Sequence, residues 1–217
     1  MILASRFLCI SDVRGDVAAL AVALAAGDRY GCEQTLVAGE HCFPGPAPLA
    51  SLQTLLRAKA TLVRGLSDLA VATVDPRALS PASPRERERV DALARAQAEL
   101  GELMCARLAK LPETARLELV TADELLLVHG SPADPATTLS PEMSDDELLA
   151  ALGDDPCDVV VCGGAHVPFD RHVGGVRVIN VGSVGDAPGG HAQASVVLVT
   201  SKGIEVEHLS LPVPRPS

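Results

Sequence analysis

Tryptophan is absent from this chain, tyrosine occurs once and phenylalanine three times, so aromatics make up only 2% of 217 residues. A core of Ala, Val and Leu follows, and with it thin, closely packed layers of sheet and helix. Aromatic stacking platforms for single-stranded nucleic acid are excluded by the same scarcity. The six cysteines (Cys9, Cys32, Cys42, Cys105, Cys157, Cys162) show no CxxC spacing. Several lie in apolar runs, as small buried hydrophobes do, which fits a reducing cytoplasm better than a disulfide framework. No basic run offsets the net charge of −10; nucleic acid is therefore not an expected partner. Arg85, Arg87 and Arg89 come closest, but they alternate with Glu86 and Glu88 and read as a solvated helix face. Long apolar runs are also missing. Val17 to Ala26 falls short of the roughly 20 residues needed to span a bilayer, and no basic leader precedes an apolar stretch. A cytoplasmic protein without membrane association is the expectation.

What is present is an alternation of strand and helix patterns. Phe7–Ile10, Gln34–Ala38 and Thr61–Val63 read as buried strands. They are separated by an Ala- and Leu-rich helix starting after Asp16 and by a second helix over Leu49–Lys59. This βαβα order implies parallel strands with crossover helices. A Pro- and Ser-rich loop over Asp75–Pro84 precedes a long helical segment, Arg85–Leu108. The second half is strand-rich, with strands expected at Arg116–Val120, Glu124–Val128, Asp158–Cys162, Val176–Asn180, Ser195–Thr200 and Ile204–His208. Thr121-Ala122-Asp123 reads as a hairpin turn, and Ser144 with Glu147 as the capping box of a short helix. The sequence thus predicts one α/β domain over residues 1–211 and a Pro-rich tail over 212–217.

Ligands of open α/β sheets gather where strands end. Here those ends carry Asp12 and Arg14 in ISDVRG, Glu40 in VAGEH, Arg64 to Asp68 in VRGLSD, His129 and Ser131 in LLLVHGSP, and His166 in CGGAHVP. A lone histidine at a strand end is more often structural than functional. Acids and histidines at five successive ends, however, are the raw material of a metal or phosphate site.

In order and spacing these five blocks resemble the calcineurin-like metallophosphoesterases, in particular their small bacterial phosphodiesterase-like branch. That family shows Asp-x-His, Gly-Asp, Gly-Asn-His-Asp, Val-His-Gly and Gly-His-x-His in turn. The resemblance runs from Arg6 to about Gly185. It implies a four-layer α-β-β-α sandwich of two mixed sheets flanked by helices.

Carried over residue by residue, the resemblance places one family metal at Asp12, Arg14, Glu40 and His166. The other falls at Glu40, Leu66, His129 and Gly164, and the phosphate-contacting histidine becomes Ser67. Leu66 and Gly164 offer no ligand atom, and Arg14 brings a permanent positive charge where an imidazole should coordinate. The residual ligand positions are therefore Asp12, Glu40, His129 and His166. Arg14, Arg64, Ser67, Asp68 and Ser131 are candidate binding residues. The expected function is an impaired phosphoesterase homologue that binds a phosphorylated small molecule or a protein partner and needs no cofactor. The alternative is an active phosphodiesterase or phosphatase using one divalent metal (Mn, Fe, Ni or Zn) or relocated ligands, with His41 and Cys42 as conceivable substitutes. Arg14 is expected to replace the metal as counter-charge in a salt-bridge cluster with Asp12 and Glu40, the alternative being that it points to solvent. His172, His191 and His208 have no motif context and read as surface or structural.

Overall fold

A computed structural model describes residues 4–121, 123–154, 157–186 and 188–214. The chain opens with β1 (Ala4–Ile10), α1 (Val17–Tyr30), β2 (Gln34–Ala38), α2 (Pro48–Arg57), β3 (Thr61–Val63) and α3 (Leu66–Thr73). The 26-residue α4 (Pro84–Ala109) then leads to β4 (Thr114–Glu118) and β5 (Glu124–Val128). After α5 (Asp145–Leu152) come β6 (Val159–Cys162), β7 (Phe169–Val173), β8 (Val176–Asn180), β9 (His191–Thr200) and β10 (Gly203–Pro212).

The strands form two five-stranded mixed sheets, ordered β10-β9-β1-β2-β3 and β4-β5-β6-β8-β7. In the first, β1 and β3 pair parallel to β2 while β9 runs antiparallel to β1. In the second, β5, β6 and β8 are parallel and flanked by antiparallel edges. Three buried clusters mark the layer boundaries. One lies between α1, α2, α4 and the first sheet, where Leu8, Leu20, Leu52 and Leu100 meet. A second lies between the sheets, with Cys9, Leu36, Leu127, Val161 and Ile179. The third lies between the second sheet and α5, with Leu126, Val160 and Leu148. Covering both faces of β6 buries every residue of its VVVC run, as a central parallel strand requires. The result is the expected four-layer sandwich.

The Ala-rich composition sets the spacing of these layers. α1 starts where the Asp16 side chain accepts from the Ala19 amide and stops at Gly31, in the left-handed conformation. It buries Ala19, Ala23, Ala26 and Gly27. A Cβ on Gly27 would come within 2.9 Å of the Leu8 side chain, so glycine there permits the close approach of α1 to β1.

Most strands and helices fall where the sequence placed them. The expected Ser144–Glu147 capping box opens α5. Two elements lay beyond the sequence pattern. α3 follows β3 almost directly and is only eight residues long, too short to show helical periodicity. β7 is an edge strand whose FDRHV sequence alternates in exposure and reads as polar loop. α4 is broken at Gly101, which has φ +69°. β10 continues to Pro212, the first residue of the proposed tail, which pairs with His191. The rest of the proposed tail includes 215–217, and the hairpin turn includes Ala122, all outside the described residues. Among the described residues no helix is long and apolar enough to cross a membrane.

Candidate functional site

The loops after β1, β2, β3, β5 and β6 converge at one end of the two sheets and are tied together by backbone hydrogen bonds. The amides of Asp12 and Arg14 donate to the carbonyls of Gly39 and Glu40 at 3.1 and 2.8 Å, and the Gly163 amide donates to His129 at 3.0 Å. Among the described residues, five non-glycine residues have positive φ, and four of them sit in these loops: Asp12 (+54°), Arg14 (+49°), Glu40 (+59°) and His166 (+57°). Each left-handed residue costs about 1–2 kcal/mol. Strain concentrated in this way marks a functional site more often than a structural one.

Asp12 is fully buried. Its Oδ2 accepts from the Gly164 amide at 3.0 Å and lies 2.8 Å from Ser11 Oγ. Its Oδ1 faces Arg14 Nη2 at 3.2 Å and His166 Nε2 at 3.1 Å, while Nη2 is itself 3.0 Å from His166 Nε2. Three atoms thus form a nearly equilateral triangle. His166 Nε2 can either accept from Arg14 or, when protonated, donate to Asp12, but it cannot do both. Burial raises the Asp12 carboxyl, yet the His166 hydrogen bond, the charge field of His129 and the Gly164 amide together bring it from 3.8 down to about 2. The carboxylate stays ionised.

Arg14 spans this triangle and the solvent edge. Its Nη1 donates to Asp186 Oδ2 at 2.5 Å. Its Nε–H is buried and has no hydrogen-bond partner among the described residues. The expectation that Arg14 also neutralises Glu40 does not hold, because no ion pair joins them among the described residues. Glu40 is held instead by Ser67, whose amide donates to Oε1 at 2.7 Å and whose hydroxyl donates to Oε2. Three bonds separate the Glu40 carboxylate carbon from its Cα, and that reach carries it to the start of α3 rather than to the Asp12 pocket. Asp186 was not foreseen from the sequence. It closes the VGSVGD turn after β8, one residue beyond the family-like stretch.

His129 Nδ1 lies 2.7 Å from the Ala38 carbonyl. A carbonyl only accepts, so Nδ1 carries a proton, which leaves Nε2 as the nitrogen available to a metal in the tautomer a ligand needs. Nε2 is 3.8 Å from Glu40 Oε1. A Cβ on Gly164 would stand 3.6 Å from the same nitrogen. His129, Glu40 and the Gly164 position are therefore neighbours, but only the first two carry ligand atoms.

The other candidate residues have internal duties. Asp68, fully buried, accepts from the amides of Glu40, His41 and Gly65 at 2.8, 2.9 and 2.9 Å and so fixes the Glu40 loop. Ser131 Oγ donates to the Asp134 carbonyl at 3.0 Å and accepts from its amide at 3.1 Å, bracing a turn. Arg64 turns away from the cleft to the carbonyls of Ala109 and Leu111 and to Glu113, at 3.3, 3.0 and 2.6 Å, where it ties down the end of α4. Its expected role in anion binding is not supported by this placement. His41 is buried against β3 with Nε2 3.0 Å from the Val63 carbonyl, and burial pushes the Cys42 thiol far upward. Neither faces the cleft as a replacement ligand. His172, His191 and His208 are exposed.

Residues 6–203 match the family model of the calcineurin-like phosphoesterase superfamily domain. The chain belongs to this superfamily. No curated protein matches it. Among solved structures, a hypothetical protein of Pyrococcus horikoshii is similar with a TM-score of 0.81 and 18% identity, covering 97% of this chain and 89% of the other. A metallophosphoesterase of Sphaerobacter thermophilus gives a TM-score of 0.75 and 21% identity over 98% and 90%. A phosphoesterase of E. coli gives 0.52 and 18% over 95% and 99%. At these identities the likeness shows the fold alone.

Divalent metals usual to the superfamily find a poor fit here. Bonds of about 2.0–2.2 Å place two ligands of one ion roughly 3.0–3.5 Å apart. Asp12 Oδ1 and His166 Nε2 keep that spacing at 3.1 Å, but Arg14 Nη2 stands in the adjacent corner. A cation between them would face a guanidinium that is always charged. Among the described residues, no group of three or more His, Cys, Asp or Glu side chains is arranged to hold an ion.

Proposed function

We propose that this chain is a metallophosphoesterase-fold protein whose dinuclear centre has given way to an internal ion-pair cluster. On this reading it is impaired as a hydrolase and binds a phosphorylated small molecule in the cleft. The observation that carries the reading is Arg14 Nη2 lying 3.2 Å from Asp12 Oδ1 and 3.0 Å from His166 Nε2. A side-chain cation occupies the corner where the family's metal ligands converge. The guanidinium neutralises Asp12 as an ion would, but it cannot lower the pKa of a bound water or accept one as a ligand. Ser67 stands where the family's leaving-group histidine would be, and its proton is committed to Glu40. On this reading the cleft lacks a metal-activated nucleophile, and Ser67 is not free to act as the general acid. It does retain a donor for an anion: among the described residues one proton of Arg14 Nη1 remains uncommitted, while Nε is buried.

A second reading, a phosphodiesterase using a single metal held by Asp12, Glu40 and His166, is favoured by one specific feature. The Asp12–His166 spacing suits two ligands of one ion. It requires Arg14 to swing out on Asp186, which is half-exposed at 49%.

Protein purified from manganese-supplemented cells, analysed for metal and assayed on bis(p-nitrophenyl) phosphate with manganese, nickel and EDTA, separates the two. The expected result is substoichiometric metal, turnover no higher than the EDTA control, and thermal stabilisation by inorganic phosphate. Stoichiometric metal with EDTA-sensitive turnover would establish the second reading instead.

A further inference from the structure

The opposite wall of the cleft comes from α4. A cavity of about 660 Å³ lies between Arg14, Glu40 and Ser67 on the strand-end side and the first half of the helix on the other. Arg85, Arg89 and Arg95 line it, and all three are exposed. None makes a side-chain ion pair or hydrogen bond among the described residues. Arg85 and Arg89 lie one turn apart on the same face, a like-charge spacing that weakens a helix. With Arg14, four guanidiniums face this cavity against two carboxylates, Glu40 and Glu88. The chain as a whole carries a net charge of −10. A local excess of unpaired positive charge against that background creates a focused field for anions. The floor is apolar, built from Phe43, Leu79, Val90 and Leu93. Phe43 is one of only three phenylalanines in the chain.

We infer that α4 contributes a second anion subsite, Arg85 and Arg89, that works without metal. The ligand it selects is an organic phosphate with more than one negative charge and an apolar, planar body, of the chemistry of a nucleoside diphosphate. One anionic group is clamped between the two helix guanidiniums, whose forked donors match phosphate oxygens. The body covers the Phe43 and Val90 surface, and the remaining charge faces Arg14. The inference rests on the cleft being a phospho-ligand site and specifies what that site takes.

Titration calorimetry with ADP, pyrophosphate and adenosine tests it on the full-length chain after EDTA treatment. Wild type is expected to bind ADP more tightly than either pyrophosphate or adenosine. Arg85→Gln/Arg89→Gln should weaken ADP at least tenfold, while Arg87→Gln, which does not line this cavity, should leave it within twofold. All three substituted positions of these arms are exposed on α4, so folding is retained, and circular dichroism verifies it. Equal ADP binding by wild type and the double variant, or an equal loss in Arg87→Gln, overturns the α4 subsite while the phospho-ligand reading stands. Failure of wild type to bind ADP, pyrophosphate or inorganic phosphate overturns both. If the chain proves to be a metal-dependent hydrolase, the double variant must raise KM for ADP with kcat unchanged, or the inference fails there too.

Discussion

Replacing Arg14 by histidine restores the family's imidazole in a single step and tests whether the guanidinium keeps metal out. The substitution suits the backbone, since histidine tolerates the left-handed conformation seen at this position better than most residues. Two ion pairs are lost. The one to Asp186, at a half-exposed carboxylate, is worth about 0–1 kcal/mol. The one to fully buried Asp12 matters more. Removing a charge-assisted partner from a buried group costs about 1.5–3 kcal/mol, moderated here because Asp12 keeps the Gly164 amide and the Ser11 and His166 contacts. A net loss of about 2 kcal/mol should lower Tm by roughly 4–8 °C in a domain of this size. Manganese at a hundred times its Kd should then return about 2.7 kcal/mol to the variant, visible as a rise in Tm that EDTA abolishes. Wild type should show no such rise. An equal manganese effect in wild type, or none in Arg14→His, would refute the argument that Arg14 substitutes for the ion.

Acid sensitivity provides a second check. The Asp12 carboxyl is depressed from 3.8 to about 2 in the folded chain, so its contribution is present above pH 4 and is lost as pH falls through about 2. Its size is about 2 kcal/mol; urea melts should show the gap between wild type and Asp12→Asn narrowing across that window. Lys59, exposed and at φ +52° just past α2, is strained without a ligand role. Lys59→Gly should raise stability by about 1 kcal/mol in the same melts. Gly45→Ala should do the reverse, because its Cβ would sit 1.4 Å from the Arg14 carbonyl. The loop carrying Arg14 must then move, and a loss of more than about 3 kcal/mol, with loss of phosphate stabilisation, is expected.

The composition and the strand-end blocks carried the architecture well. Apolar runs such as LLLV and VVVC can only be central strands, and helix caps such as Asp16 and Ser144 are local chemistry. That Leu66 and Gly164 carry no ligating side chain was equally plain. Side-chain direction was another matter. Whether Arg14 reached Glu40 or Asp186, and whether Arg64 faced the cleft or the end of α4, depended on contacts between segments far apart in sequence. Arg85 and Arg89 illustrate the same limit. Among alternating acids they read as a solvated face, since a periodicity shows which residues share a side of a helix and not what that side looks toward.

By itself, then, the sequence determined the layers, the five converging loops and the lack of ligating side chains at Leu66 and Gly164, all consequences of local pattern and atom type. Only the tertiary structure decided which charge meets which. It placed the Arg14 guanidinium beside Asp12 and His166 and turned a basic helix face toward the cleft, because electrostatic partners are chosen by distance in space.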